Sequence, residues 1–172
     1  MRPSNRYQKN TASNSCCNNY GKEKEIKTTA RNLHRKTGIN TRWFKQAMNQ
    51  AMVFLTLHRA ELSLLFVNDR KMHAINKEFR GVDSPTDVIS FPMYASPKEF
   101  PASEDFLLGD IVVNLDRAQQ QTSDNLENEV LRLLIHGLLH LIGYDHEVSA
   151  YWARKMASAE KEIFDALTQI PR

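Results

Sequence analysis

Residues 124–146 read DNLENEVLRLLIHGLLHLIGYDH, a strongly apolar run that carries three histidines. Its start has the capping-box pattern, with Asp124 followed three residues later by Glu127. We therefore predict a helix that begins at Asp124 and ends near Ile142. Its many leucines would hold this helix rigidly in the core of the fold, which makes it a firm support for any functional side chain that it carries.

Two of the histidines, His136 and His140, are four residues apart. On a helix both imidazoles lie on one face, one turn apart, which is how a helix offers two ligands to one metal ion. Gly143 follows this pair, and a glycine just past a helix end adopts the left-handed conformation cheaply and reverses the chain. The reversed chain can bring His146 back toward the pair as a third ligand.

Three histidines without a fourth protein ligand leave one coordination position for water, which is typical of a catalytic zinc rather than a structural one. Zinc lowers the pKa of water toward ~7, so hydroxide becomes available at neutral pH. A single histidine on an apolar face is usually a core residue with a satisfied hydrogen bond. Three histidines at these spacings, with a glycine after the second, instead predict one zinc ion per chain.

Asp145, Gly137 and the other histidines are not predicted to bind the metal. Asp145 is either an outer partner of a metal ligand or an acidic turn residue. Gly137 stands where zinc proteases with the extended His-Glu-x-x-His motif carry their general-base glutamate, which disfavours peptide hydrolysis by that mechanism. No other histidine lies at a metal-binding spacing from His34, His58 or His73. We interpret these three as ordinary surface or core residues.

The rest of the chain predicts a small α+β domain. Strands and helices alternate at first and then give way to helices, so we expect a single domain with a mixed β-sheet of about four strands. The predicted segments are a helix at residues 41–58 capped by Asn40 or Thr41, a strand at 61–67, a helix capped by Asp69, a strand at 87–91 closed by Pro92, a long loop at 92–106, a strand at 107–113 and a last helix at 148–167.

Composition indicates a soluble protein of one domain. The chain has 172 residues, of which 41% are hydrophobic and 25% charged. Since no stretch is apolar enough to cross a bilayer, we expect no membrane partner. Cys16 and Cys17 are neighbours in sequence and cannot build a disulfide framework, which favours a reducing compartment and a cytoplasmic location.

Charge is divided unevenly along the chain. Residues 1–45 contain eleven Lys or Arg and two acids, a net charge of +9, whereas the remainder has a net charge of −6. Residues 1–22 are polar and basic, and we predict a disordered N-terminal extension before a functional domain at residues 23–172. Such an extension could contact a polyanion such as nucleic acid or could simply be a solvated tail, and a transit peptide is a weaker alternative.

Residues 136–146, HGLLHLIGYDH, resemble the signature of the YbeY family of metal-dependent endoribonucleases. FRGVDSPTDVISFP at residues 79–92, LLGDIVVN at 107–114 and the C-terminal helix match the family as well. The resemblance covers roughly residues 24–170. It implies a zincin-like arrangement with zinc held by His136, His140 and His146.

The resemblance also implies single-strand-specific RNA cleavage, with roles in 16S rRNA 3′-end maturation and in ribosome quality control. The implied partners are precursor 16S rRNA, the ribosome and ribosomal proteins. It assigns a catalytic and substrate-binding role to Arg80, whose guanidinium could bind two phosphate oxygens at once. Without the resemblance, a solvated loop arginine would be the preferred interpretation. Asp87 belongs to the same motif and either acts at the site or orders the turn.

The sequence is compatible with three functions. The leading one is a zinc-dependent endoribonuclease. A metallohydrolase of peptides or small molecules is disfavoured by the glycine at position 137 and by the basic N-terminal segment. A ribosome-binding assembly factor with a structural metal is disfavoured by the open coordination position. Whether water or the 2′-hydroxyl of the RNA attacks the phosphate is left open.

Overall fold

A four-stranded mixed sheet organises the fold in a computed structural model, which describes residues 27–122, 125–145 and 149–171. The elements in chain order are β1 (Lys27–Asn32), α1 (Thr41–Phe54), β2 (Ala60–Val67), α2 (Asp69–Arg80), β3 (Val88–Pro92), β4 (Phe106–Asn114), α3 (Leu115–Gln121), α4 (Leu126–Leu141) and α5 (Ala150–Leu167). The strand order is β1-β2-β4-β3, with β3 antiparallel to β4 at one edge and the other pairs parallel. The prediction of one α+β domain with about four strands is confirmed.

The main core lies on one face of this sheet. Alternate residues of β2, namely Leu62, Leu64 and Phe66, are almost fully buried in the same cluster as the inner faces of α1, α4 and α5. Helix α2 belongs to a smaller cluster in which Met72 packs with Val67 and other apolar residues of the sheet. Because α4 contacts both β3 and β4, it is fixed beside the antiparallel edge of the sheet.

Helix α1 ends earlier than predicted. Asn40 caps its start, since its side-chain oxygen accepts a hydrogen bond from the backbone N–H of Trp43 at 3.0 Å. The predicted end at His58 is wrong, because Thr56 has a φ of 59° and leaves the right-handed helical region. The helix therefore ends at Phe54.

Three other predicted helix starts need correction. Asp69 does not cap α2. Asn68 does so, accepting from the N–H of Lys71 at 2.9 Å, and Asp69 is the first helical residue. Helix α4 begins at Leu126 and is capped by Asn125 rather than by Asp124, which lies outside the described residues. Helix α5 begins at Ala150, capped by Ser149 rather than starting at residue 148.

The bounds of the three predicted strands agree with the structure to within one residue. For example, β3 begins at Val88 rather than at Asp87. Strand β1 and helix α3 were not predicted, and neither was a short 3₁₀ helix at Pro97–Glu99 within the predicted loop. The predicted extension at residues 1–22 lies outside the described part of the chain. None of the helices in the described segments is long and apolar enough to span a membrane.

Candidate active site

The structure brings His136 and His140 together on one face of α4, as their spacing predicts. Their Nε2 atoms are 3.1 Å apart, and the two ring centroids are separated by 4.6 Å. Nine of the sixteen residues of α4 are buried. The histidines therefore project from a rigid element, which favours a well-defined ligand geometry.

This pair fits a shared metal ion. Zinc–nitrogen distances of about 2.0–2.1 Å and tetrahedral angles place two imidazole nitrogens roughly 3.3 Å apart. The observed 3.1 Å between the Nε2 atoms is close to that value. The donor set is also chemically suitable, since neutral imidazole is a common zinc ligand.

Glu160 on α5 supports the first histidine and was not singled out from the sequence. Its Oε1 atom lies 2.7 Å from Nδ1 of His136. Because a carboxylate only accepts hydrogen bonds, Nδ1 is the donor in this contact, and the lone pair of the neutral imidazole is then on Nε2, which faces His140. A carboxylate behind a histidine is a common outer partner of metal ligands.

A signal for Glu160 was present in the sequence. It is spaced four residues after Met156, three before Ile163 and seven before Leu167, all three of which are buried. An acidic residue on the buried face of an amphipathic helix needs a hydrogen-bonding or charged partner that is itself buried or half-buried. The partner could not be named from α5 alone, because it lies 24 residues earlier in the chain.

The chain reverses after α4 at Gly143, whose φ is 85°. Gly143 N–H donates to the carbonyl of His140 and Tyr144 N–H to that of Leu139, each at 3.0 Å. These two bonds form a Schellman motif, the helix stop that glycine favours. The predicted third ligand, His146, lies outside the described residues, so its approach to the pair stays a prediction. Within the described segments, no group of three or more His, Cys, Asp or Glu side chains is arranged to hold a metal.

Both histidines open into a cleft of about 670 Å³. Arg80 lines the same cleft, together with Thr86, Asp87, Tyr144 and Asp145 among other residues. Arg80 is the last residue of α2 and is exposed, and its side chain makes no hydrogen bond or ion pair with any of the described residues. Its guanidinium donors are therefore available to a ligand in the cleft.

The turn that follows Arg80 is held to α2 by Asp83. Lys77 Nζ lies 2.9 Å from one carboxylate oxygen of Asp83, and His73 Nε2 lies 2.6 Å from the other. Two hydrogen bonds lower the pKa of the Asp83 carboxyl, of which that from Lys77 has the larger effect and that from His73 the next. This turn keeps Arg80 close to the start of β3, which forms one wall of the cleft.

Asp87 orders the start of β3. Its carboxylate accepts hydrogen bonds from the N–H of Val88 at 2.8 Å and from the side chains of Thr86 and Gln121, each at 3.1 Å. Partial burial raises the pKa of Asp87, but the hydrogen bonds from Gln121, Val88 and Thr86 together lower it below its ordinary value. Asp87 is therefore an ionised residue whose oxygens stabilise the wall of the cleft.

Gly137 lies on the face of α4 that packs against β4. A Cβ atom there would come within 2.9 Å of Cγ2 of Ile111 on β4. The position that carries the general base in zinc proteases is thus closed by packing between α4 and the sheet. A side chain at position 137 could be accommodated only if the Ile111 side chain shifted.

The remaining histidines lie apart from the cleft, as expected of ordinary residues. His34 is buried, with Nε2 at 2.9 Å from Asp116, and His58 is exposed. His73 contacts Asp83 in the turn already described. Neither His34 nor His58 lines the cleft that contains the His136–His140 pair.

Comparison with known proteins identifies the family. The family profile described as endoribonuclease YbeY matches residues 23–168. The endoribonuclease YbeY of Persephonella marina is 38% identical over 130 residues, which cover 74% of this chain and 83% of the relative. That of Aquifex aeolicus is 38% identical over 122 residues, covering 69% and 78% respectively.

A solved structure shows a similar fold. The solution structure of a protein from Thermotoga maritima aligns with a TM-score of 0.55 at 24% identity, covering 81% of this chain and 89% of that one. The fold thus agrees with the sequence matches, which cover most of the chain and include the histidine-bearing helix and the Arg80 turn. This chain belongs to the endoribonuclease YbeY family.

Proposed function

We propose that this chain is a metal-dependent endoribonuclease that cleaves single-stranded RNA, acting in 16S rRNA 3′-end maturation and in ribosome quality control. One observation carries the proposal. The Nε2 atoms of His136 and His140 meet at 3.1 Å, in the same cleft as an arginine with available donors. Membership of a family whose curated relatives are named endoribonucleases supports the same activity.

The metal in this proposal is zinc, held by His136, His140 and His146. When bound, it supplies a Lewis acid that polarises a phosphoryl oxygen or activates water. Glu160 holds the proton on Nδ1 of His136, which makes Nε2 the atom that would bind the metal and fixes the orientation of the ring. The chain reversal at Gly143 directs the following residues away from the axis of α4.

Arg80 binds the scissile phosphate in this account. A guanidinium forms two parallel hydrogen bonds to phosphate oxygens and stabilises the charge that develops on them during cleavage. Because its donors are not occupied by a carboxylate of the described residues, no internal ion pair must break when RNA binds. The turn held by Asp83 limits the movement of Arg80 relative to β3.

The proposed partners are precursor 16S rRNA, the ribosome and ribosomal proteins, and we expect the activity in the cytoplasm, where the proposed substrate is processed. A peptidase is disfavoured, because residue 137 is a glycine without the side chain of the usual general base, and it packs closely against Ile111. A purely structural role of the metal in an assembly factor is disfavoured, because the histidine pair lines an open cleft that could admit a substrate.

RNA cleavage by metal-stripped and zinc-reloaded protein tests the proposal. Single-turnover rates are measured on a single-stranded fragment of the 16S rRNA 3′ region and on the same fragment in a duplex. We expect the single strand to be cleaved, and the activity to disappear on stripping and return on reloading. His140→Ala should abolish cleavage, whereas His58→Ala, which replaces an exposed histidine outside the cleft, should not. Full activity of His140→Ala would contradict the proposal.

A further inference from the structure

A second concavity opens beside the histidine pair, between α4 and α5. Its volume is about 580 Å³, within the range of roughly 300–1,000 Å³ that is typical of small-ligand sites. It shares Asp87, Val88 and His136 with the active-site cleft. The two concavities are therefore adjoining parts of one groove, with His136 at their junction.

The lining of this second concavity suits a neutral ring better than a phosphate. Its apolar surface comes from both helices and from β3, through residues such as Val88, Leu133 and Phe164. Three carboxylates and two cations complete the lining, so the groove has no excess of positive charge for an anion. The carboxylates are Asp87, Glu160 and Asp165, and the cations are Arg132 and Lys161. Apolar walls with polar groups around them match the flat faces and hydrogen-bonding edges of a nucleobase.

Arg132 and Phe164 together form a flat surface on which a base could stack. The guanidinium carbon of Arg132 lies 4.7 Å from the ring centroid of Phe164. Glu129 accepts a hydrogen bond from the same guanidinium at 3.2 Å, so the group is held from two sides. Unstacked RNA bases commonly stack on aromatic rings and on the planes of arginine guanidinium groups.

We propose that this groove is a base-binding subsite, in which an unstacked nucleobase next to the scissile phosphate stacks on the Arg132–Phe164 pair. The inference deepens the proposed function and rests on it. A base in a duplex cannot enter the groove without losing its pairing and stacking, whereas a base in a single strand can turn in freely. The groove thus gives a physical reason for a preference for single-stranded RNA.

Two probes that differ only by a base test the subsite directly. Dissociation constants of adenosine 5′-monophosphate and of ribose 5-phosphate are measured by NMR titration of zinc-loaded protein. Stacking of one base contributes about 1–3 kcal/mol, which corresponds to a roughly fivefold to 150-fold preference for the nucleotide. Arg132→Gln and Phe164→Leu should lose most of this preference and should raise the KM for single-stranded RNA more than they lower kcat.

Matched controls lie elsewhere on the same protein. Arg154→Gln changes an exposed arginine of α5 outside both concavities, and Phe54→Leu changes a half-exposed phenylalanine of α1. Both controls should keep the wild-type preference. Equal binding of the two probes by the wild type, or an unchanged preference in Arg132→Gln, would overturn the subsite. Because binding and cleavage are read separately, failure of the subsite leaves RNA cleavage intact, while failure of the proposed function appears as absence of cleavage.

Discussion

Removal of the Glu160 carboxylate should weaken metal binding although the residue is not a ligand. Glu160→Ala deletes the acceptor that lies 2.7 Å from Nδ1 of His136. Without it, the ring is free to rotate, and its proton can move to Nε2, the atom that faces His140. Loss of such an outer partner typically costs 10- to 100-fold in metal affinity, or about 1.4–2.8 kcal/mol. The side chains of His136 and Glu160 are each 33% exposed, so we expect a value toward the lower end of that range.

Competition with a chromophoric chelator gives the zinc affinity of each variant. Glu160→Gln keeps an acceptor but loses the charge, so its affinity should fall between those of the wild type and Glu160→Ala. Glu162→Ala is the matched control, since it removes an exposed carboxylate from the same helix. Nitrogen chemical shifts of the metal-free protein report the proton on His136 and should show it at Nδ1 only when Glu160 is present. Equal zinc affinities of Glu160→Ala and Glu162→Ala would refute the argument.

Three further substitutions test other parts of the account. Gly143→Val places a β-branched residue at a φ of 85° with its Cβ 3.3 Å from Pro97, so we expect a loss of about 1–3 kcal/mol in denaturant unfolding and weaker zinc binding. Arg80→Ala should reduce the RNA cleavage rate by about 10²- to 10³-fold at unchanged zinc content, and Arg80→Lys should be partly active. Asp116→Asn should destabilise the fold at neutral pH. The hydrogen bond from the backbone N–H of Asp69, and to a lesser extent that from His34, hold the pKa of Asp116 below its ordinary value. This stabilisation is present above the unfolded pKa of about 3.9 and is lost as the pH falls through the lower folded value, so unfolding curves of the wild type and Asp116→Asn should converge in acid.

Features governed by local chemistry were predictable from the sequence. Helix α4 follows from its apolar residues, and the closeness of His136 and His140 follows from a spacing that matches one turn. The stop at Gly143 follows from the ease with which glycine adopts positive φ. Each of these depends on a few neighbouring residues, so no knowledge of the rest of the fold is needed.

Features that depend on distant contacts were missed. Strand β1 has the sequence KTTARN, without apolar alternation, and it is a strand because it pairs with β2 across a long connection. The seven-residue helix α3 is too short to give a periodic pattern. The contact between Glu160 and His136 joins two helices, and the groove between α4 and α5 exists only once those helices pack.

X-ray absorption at the zinc edge identifies the atoms that bind the metal in the loaded protein. We predict three imidazole nitrogens at about 2.0–2.1 Å and one oxygen. His140→Ala and His146→Ala should each lose one imidazole contribution. Sulfur ligands, which would implicate Cys16 or Cys17, or a spectrum unchanged by His140→Ala, would contradict the account.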